Sequence, residues 1–368
     1  MSPLFFEALR IFRTSMKVKL FGRPNYQGNE ETIAKTIIEK CFNGTFFQVS
    51  TGHFNQFYTR DFGMVTKALL ELGYQEEVKK TIEYALEKFA KAKRFTTHLT
   101  PKGKPVNFPT QSPESASYIL NSLILLNDKE LINKYSYLFR EEAERIYNED
   151  INHTTGLLRT DKQFSSMKDH AIRQSSCYNN TFLGLFAKNL KKIGINSSLD
   201  TYNYPSLLKK YFWKEKGFIE DLSGREVYSA DANIYPYWTG LITNKSMKKK
   251  SIQIIRDQKL DKPFPLKYTR KEDVGKLNNT NLLVPGYETT SIWVHLGMNY
   301  IEVVAKDNKE LAKKYLQQYS KLIKKHKNFL EVYTITGKPF SRPLYESDHS
   351  MIWVAIYFYL KKGGDEGI

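Results

Sequence analysis

The segment YTRDFGMVTKALLELGYQEEVKKTIEYALEKFAKAK, residues 58–93, holds two helices of different character on either side of Gly73. The first, near 61–72, is rich in aromatic and small residues and follows a turn bearing Arg60 and Asp61. The second, near 76–92, is rich in lysine and sets Val78, Ile82, Ala85, Leu86 and Phe89 on one stripe. A helix that is apolar all round is buried on both sides, whereas an amphipathic one keeps a wet face. Gly73 stands where a left-handed residue ends a helix. The segment therefore reads as one hairpin, with an inner and an outer helix.

That alternation recurs along the chain. Segment 129–148 aligns Leu131, Ile132, Tyr135, Leu138, Phe139 and Ile146, and segment 308–325 aligns Leu311, Tyr315, Tyr319, Leu322 and Ile323. Ser112 then Pro113 reads as N-cap and first helical residue before SASYILNSLILL, and Gly194 ends a helix as Gly73 does. Periodicity predicts helices near 30–43, 61–72, 76–92, 113–126, 129–148 and 175–193. Six more fall near 204–213, 232–243, 246–257, 287–305, 308–326 and 347–361. Twelve helices alternating inner and outer make an all-α fold, an (α/α)6 toroid of six hairpins around one axis. Short strands in its loops are expected at FFQVS (46–50), LLRT (157–160) and FLEVY (329–333). The expected organisation is a helical extension over 1–28 and one catalytic domain over 29–368. The polar stretch 258–285 fits a functional loop over one mouth of the toroid.

Composition narrows the classes of function. The chain has 368 residues, 41% apolar and 14% aromatic, which supports a large core and excludes a disordered chain. Only 20 Gly and 2 Cys exclude collagen and disulfide scaffolds. Cys41 and Cys177 lie far apart without ligand spacing, which fits a reducing, cytoplasmic compartment. MSPLFFEALRIFRTSMKVKLFG (1–22), interrupted by Glu7 and Arg10, reads as a short amphipathic helix rather than a signal peptide. No apolar run approaches the roughly 18 residues of a spanning helix, so no membrane partner is expected. The 56 Lys+Arg against 39 Asp+Glu give a net charge of +17. These lysines are spread along helices among acids. Even the densest run, KSMKKKSIQIIR (245–256), begins a predicted helix. They read as solvated faces, and no specific nucleic-acid partner is expected. A Gly-rich phosphate loop, HExxH and CxxC are all missing from the sequence, so neither cofactor nor metal is expected.

Acids, arginines and aromatics concentrate in four turn segments. FNQFYTRDFGM carries Tyr58, Arg60 and Asp61, a set that can hydrogen-bond sugar hydroxyls while rings stack on pyranose faces; Asp61 can equally cap the helix. SSMKDHAIRQSSCYNN carries Asp169 and Arg173 four apart, on one face if the segment is helical, together with Asn179 and Asn180. A surface ion pair is the plain reading, but the flanking residues are small and polar, as in a lined pocket. SADANIYPYWTGL and PGYETTSIWVHLGMN each place an acid before a tryptophan, Asp231 with Trp238 and Glu288 with Trp293. The rings serve as well in a core as in a sugar platform. In NFLEVYTITGKP, Glu331 stands among apolar residues, where desolvation raises a carboxyl pKa and suits it to acid–base work; an outward-facing strand residue is the alternative.

In this order the segments resemble the six-hairpin glycosidases: glucoamylases, trehalases, processing α-glucosidases and the glucosidase domain of glycogen-debranching enzymes. Arg60-Asp61 resembles their early Arg-Asp motif heading a barrel helix. Asp169 with Arg173 resembles the trehalase and processing-glucosidase motif whose Asp is the general acid, although Ser165, Ser166, Met167 and Lys168 stand where a glycine often precedes it. Asn179-Asn180 resembles the downstream asparagine-bearing helix start. FLEVYTITGKP followed by HSMIW resembles the late segment carrying the general base and then an aromatic helix, here with Trp353. The resemblance spans about residues 54–360. It implies an inverting glycoside hydrolase acting on an α-glucosidic bond of a di- or oligosaccharide. Asp169 would be the acid and Glu331 the base. Tyr58, Arg60, Asp61, Arg173, Asn180, Trp238, Glu288 and Trp293 would bind the sugar.

Two other classes stay open. A sugar epimerase or isomerase on the same toroid would use histidines as acid and base, with His170 beside Asp169 and His349 in the last motif as candidates. A helical scaffold or non-catalytic carbohydrate binder would need neither Asp169 nor Glu331.

Overall fold

The computed structural model describes residues 3–363; residues 1–2 and 364–368, the outer ends of the expected extension and toroid, lie outside the described residues. Helix α1 (Pro3–Phe21) precedes six pairs of helices. In chain order these are α2 (Glu30–Cys41), α3 (Thr59–Glu71), α4 (Gln75–Ala92), α5 (Glu114–Leu126), α6 (Lys129–Asp150) and α7 (Cys177–Lys192). They continue with α8 (Tyr204–Phe212), α9 (Ala230–Trp238), α10 (Lys245–Asp257), α11 (Val294–Ala305), α12 (Lys309–His326) and α13 (Val354–Lys361).

The odd-numbered helices from α3 onward form the inner ring. Each packs on the next, α3 on α5, α5 on α7, α7 on α9, α9 on α11 and α11 on α13, and α13 returns to α3. Every residue of α11 is buried, as are Val354 to Leu360 of α13. The even-numbered helices lie outside and bury one stripe. On α12 that stripe is Ala312, Tyr315, Leu316, Tyr319, Ser320 and Ile323, three and four residues apart. The fold is the all-α (α/α)6 toroid expected from the alternation.

Helix ends follow the local signals. Asn29 caps α2 by accepting from the backbone N–H groups of Glu31 (3.1 Å) and Thr32 (2.9 Å). Gly73 (φ +92°) and Gly194 (φ +79°) follow α3 and α7 in the left-handed region. Three boundaries differ from expectation. α11 starts at Val294 rather than near 287, because Ile292–Trp293 is an extended pair bonded to Val332–Tyr333. α13 starts at Val354 rather than near 347, because Tyr345–Glu346 pairs with Ser341–Arg342 and Met351 hydrogen-bonds back to Phe329. α9 stops at Trp238, shortly after Pro236. Of the expected strands, Leu157–Leu158 and Val332–Tyr333 form, while Phe46–Ser50 makes one isolated bridge, Phe42 to Phe47.

Inner helices in contact on both sides need small residues where backbones approach. Gly63 of α3 is such a point: a Cβ there would lie 2.3 Å from Cδ1 of Tyr118 on α5. Tyr118 is fully buried and has no free space to yield. Gly63→Ala is expected to destabilise the protein by roughly 1–3 kcal/mol through overpacking. Replacement of exposed Lys80 by Ala should stay within about 0.5 kcal/mol, so denaturant midpoints of the two variants compared with wild type check the packing.

Candidate active site

A cavity of about 760 Å³ opens at one end of the ring, where the inner helices begin. The first turn of α3 presents Arg60 and Asp61, α5 starts with Glu114, and His295 is the second residue of α11. Trp353 caps α13. The connecting segments add Asp169, His170, Glu288 and Glu331. Carboxylates near helix N-termini are held by unpaired backbone N–H groups and the helix dipole, which favours collecting acids at this end.

One half of the charged group centres on Arg60. Its Nε donates to Oε1 of fully buried Glu114 at 2.6 Å, and its Nη1 lies 3.6 Å from Oδ2 of Asp169. The Asp169 segment is not helical. Its Oδ1 accepts from the Ser166 N–H (3.0 Å), its carbonyl accepts from the Asn278 side-chain amide (2.8 Å), and the His170 carbonyl accepts from the Asn278 N–H (2.8 Å). The 258–285 stretch thus pins the acid-bearing loop and adds Tyr268, Thr280, Leu283 and Val284 to the cavity wall. Glu288 accepts from the His170 N–H on the same side. Burial pushes the Glu288 carboxyl up, and the charge of nearby Asp169 adds to the rise.

The other half centres on Glu331, which is 1% exposed. It accepts from the hydroxyls of Tyr287 and Tyr345, the latter at 2.7 and 2.9 Å, and from the Asp348 N–H at 2.9 Å. Burial pushes its carboxyl up to about 8, with the Asp348 charge adding and the three donors opposing. Asp348 lies behind it, accepting from the Ser50 hydroxyl (2.5 Å) and the N–H groups of His53 (3.1 Å) and Phe54 (3.2 Å). Asp61 accepts from Nε1 of Trp353 at 2.9 Å, and burial pushes it up to about 6 against the pull of Arg60. Among the aromatics, Tyr58 stacks on His98 at 4.7 Å, and Trp293 meets Tyr287 edge-on at 4.6 Å.

Seven of the residues read from sequence therefore border one cavity: Tyr58, Arg60, Asp61, Asp169, Glu288, Trp293 and Glu331. Three others do not. Arg173 donates to Asp231 at 2.6 Å and to Ser166, because the extended chain after Asp169 carries it to the far side of the loop; the shared helical face does not exist. It fixes Ser166, whose N–H holds Asp169. Asn180 accepts from the Leu158 N–H (2.9 Å) and donates to Ser175 and the Ser176 carbonyl, tying α7 to the 157–158 strand. Trp238 ends α9, at the opposite end from the cavity, where its Nε1 donates to Glu302 at 2.8 Å. His170 lines the cavity, whereas His349 sits beside Asp348 at 3.6 Å and does not border it.

Glu114, Tyr268, Tyr287, His295 and Tyr345 were not read as site residues. Glu114 left a usable signal: a lone acid opening an otherwise apolar helix, directly after Ser112-Pro113. Tyr287 and Tyr345 left none, since tyrosine is common throughout this chain, with 24 of them.

No family model matches the chain, and no curated protein does. Solved structures do. A rhamnosidase from Klebsiella oxytoca with rhamnose bound superposes with a TM-score of 0.61 at 10% identity, over 92% of this chain and 65% of that one. A GH78 rhamnosidase from a Bacillus species gives 0.64 at 12%, over 90% of this chain and 34% of that one. The chain thus spans under two thirds of these two relatives. A GH63 mannosylglycerate hydrolase from Thermus thermophilus in complex with glucose gives 0.60 at 11%, over 90% of this chain and all of that one. At such identities the likeness is one of fold: the toroid is the one these glycosidases share.

Glu331 also links the site to stability. Its folded carboxyl titrates near 8, above the ordinary 4.5, so the folded state keeps a proton that the unfolded chain has lost. Its contribution is full below about pH 4.5 and is lost as pH rises through 8. Glu331→Gln should flatten this part of the pH dependence. Melting temperatures at pH 5 and pH 8 are expected to differ less, by several degrees, in the variant than in wild type.

Proposed function

We propose that the chain is an inverting glycosidase that cleaves an O-glycosidic bond, with Asp169 as general acid and Glu331 as general base. The observation that carries this reading is that two carboxyls from segments 162 positions apart meet in one cavity beside Arg60, Asp61 and two tryptophans. Asp169 would protonate the leaving oxygen, and Glu331 would draw a proton from water on the opposite face of the ring. The two tyrosine hydroxyls and the Asp348 N–H aim at the Glu331 oxygens and favour its ionised form. An inverting pair stands about 6.5–9.5 Å apart to admit the water. Arg60, Asp61 and Glu288 would grip hydroxyls, and Trp293, Trp353 and Tyr58 would supply ring faces. The catalytic unit would cover 29–368 after an extension over 1–28. Two free, buried cysteines support a reducing, cytoplasmic setting.

A second reading rests on a specific observation: His98, His170 and His295 border the same cavity. Burial pushes His98 down to about 4 and His295 well below its usual value, so both are neutral near pH 7 and hold a proton only weakly. A sugar epimerase would use such neutral histidines to relay a proton.

Asp169→Asn and Glu331→Gln should each lower turnover about 10²–10⁴-fold while the protein stays folded. Glu288→Gln should cost less, since Glu288 does not transfer the proton. The first-formed anomer, followed by NMR, should be inverted. If both variants keep wild-type turnover while a sugar C–H exchanges in D2O, the epimerase reading replaces this one.

The base must be ionised, so protonation on acidification removes activity. With Glu331 near 8, kcat/KM should rise with pH across the neutral range rather than near pH 4–5. A pH–rate profile of wild type checks this, and an acid limb below pH 5 would contradict it.

A further inference from the structure

The cavity wall is sharply divided. Its buried lining holds three carboxyls, Glu114 and Glu331 at 1% exposed and Glu288 at 6%, with Arg60, Asp61 and Asp169 half-buried beside them. Lining residues that are also open to solvent mark the mouth, and these are Phe12 at 40%, Leu283 at 62% and Leu344 at 51%, with Ala8 beside them. Leu9, Ile11 and Val284 continue this wall inward. α1 supplies four of these side chains, the 258–285 stretch two, and the turn between Ser341–Arg342 and Tyr345–Glu346 one.

The α1 wall is fixed in place. Lys19 donates to the carbonyls of Arg342 (2.9 Å) and Pro343 (2.7 Å), and the Ser15 hydroxyl accepts from the Glu346 N–H (3.0 Å). Glu7, the one acid α1 adds to the lining, is already bound to Arg10 and to the Gln56 amide at 2.8 Å. The strand that seats α1 also carries Tyr345, a donor to Glu331.

A sugar placed as leaving group needs hydrogen-bond partners for several hydroxyls, and leucine and isoleucine offer none. Desolvating hydroxyls without partners costs affinity, whereas burying methylenes gains it. We propose that the leaving-group subsite takes an apolar aglycone, so that the substrate is an amphiphilic glycoside: one sugar held at the charged floor, joined through oxygen to an alkyl or aryl group lying against α1, Leu283 and Leu344. This rests on the glycosidase reading and replaces the di- or oligosaccharide expected from sequence. Hydrolysis would transfer the glycosyl carbon from the aglycone oxygen to water, releasing a free sugar and an apolar alcohol.

The test separates the two readings. A panel of glucosyl, mannosyl and rhamnosyl fluorides needs no aglycone contact, because fluoride leaves, and it identifies the accepted sugar. With that sugar, octyl and 2-phenylethyl glycosides are compared with a disaccharide bearing it at the non-reducing end. At least one apolar glycoside is expected to exceed the disaccharide tenfold or more in kcat/KM; the octyl and phenylethyl arms tell a flexible chain from a flat ring. Along a methyl-to-octyl series kcat/KM should rise by up to about fourfold per methylene. Phe12→Ser and Leu344→Ser, both at partly exposed positions, should cut the octyl-to-disaccharide ratio about tenfold and lower fluoride hydrolysis far less. Hydrolysis of a fluoride with the disaccharide equal to or better than both apolar glycosides would overturn the aglycone proposal alone. No turnover of any fluoride, with wild type folded, would overturn the glycosidase reading and this proposal with it.

Discussion

The constraint that shapes this molecule is double burial of the inner helices. A helix with neighbours on both faces has no wet surface on which to leave a charge, and an unpaired buried charge is costly. Several ionised side chains of the inner ring stand at its ends instead. Asp61, Glu114 and Asp231 stand in first turns, and Lys191, Lys192 and Lys361 stand in last turns. This is also the arrangement the helix dipole favours. The starts of α3 and α5 bring Asp61 and Glu114 to the cavity, and the connecting segments at the same end add Asp169, Glu288 and Glu331.

Convergence alone would leave acids repelling one another, and the site separates them by two means. On one side Arg60 lies between Glu114 and Asp169, so a single cation compensates two anions. On the other, Glu331 and Asp348 have no cation between them; backbone N–H groups and hydroxyls hold them instead. The two halves therefore differ in kind. One carboxyl sits by a fixed positive charge and the other in a neutral, desolvated nest of donors.

The fold was largely legible because its signal is repetitive. The stripe Val78, Ile82, Ala85, Leu86 and Phe89 is buried as its spacing requires, and all twelve expected helices exist. The site was legible where residues sit in turns at helix starts, as with Arg60, Asp61 and Trp293. It was misread where a periodic rule was applied to chain without that period: Asp169 and Arg173 share a face only on a helix, and their segment is extended. Trp238 was misread for a different reason. Aromatic character does not say which end of a nine-residue helix a ring occupies, and over roughly 13 Å that decides between cavity and core. Tyr287 and Tyr345 reach Glu331 through pairings across 44 and 14 positions, which local pattern does not encode.

The apolar mouth and the charged floor also act on each other. Hydrocarbon around the opening lowers the local dielectric, which strengthens the Arg60 contacts and raises the proton affinity of Glu331. The proposed hydrolysis still needs one water at Glu331. Here the polar atoms able to hold it, the tyrosine hydroxyls and the Glu331 carboxylate, are themselves buried. α1 therefore serves two ends at once. Its apolar face dries the approach, and its anchor on the strand carrying Tyr345 steadies a donor to Glu331. A change in that helix would therefore reach the Glu331 donors although, among the described residues, none of its side chains is bonded to Glu331 or Asp169.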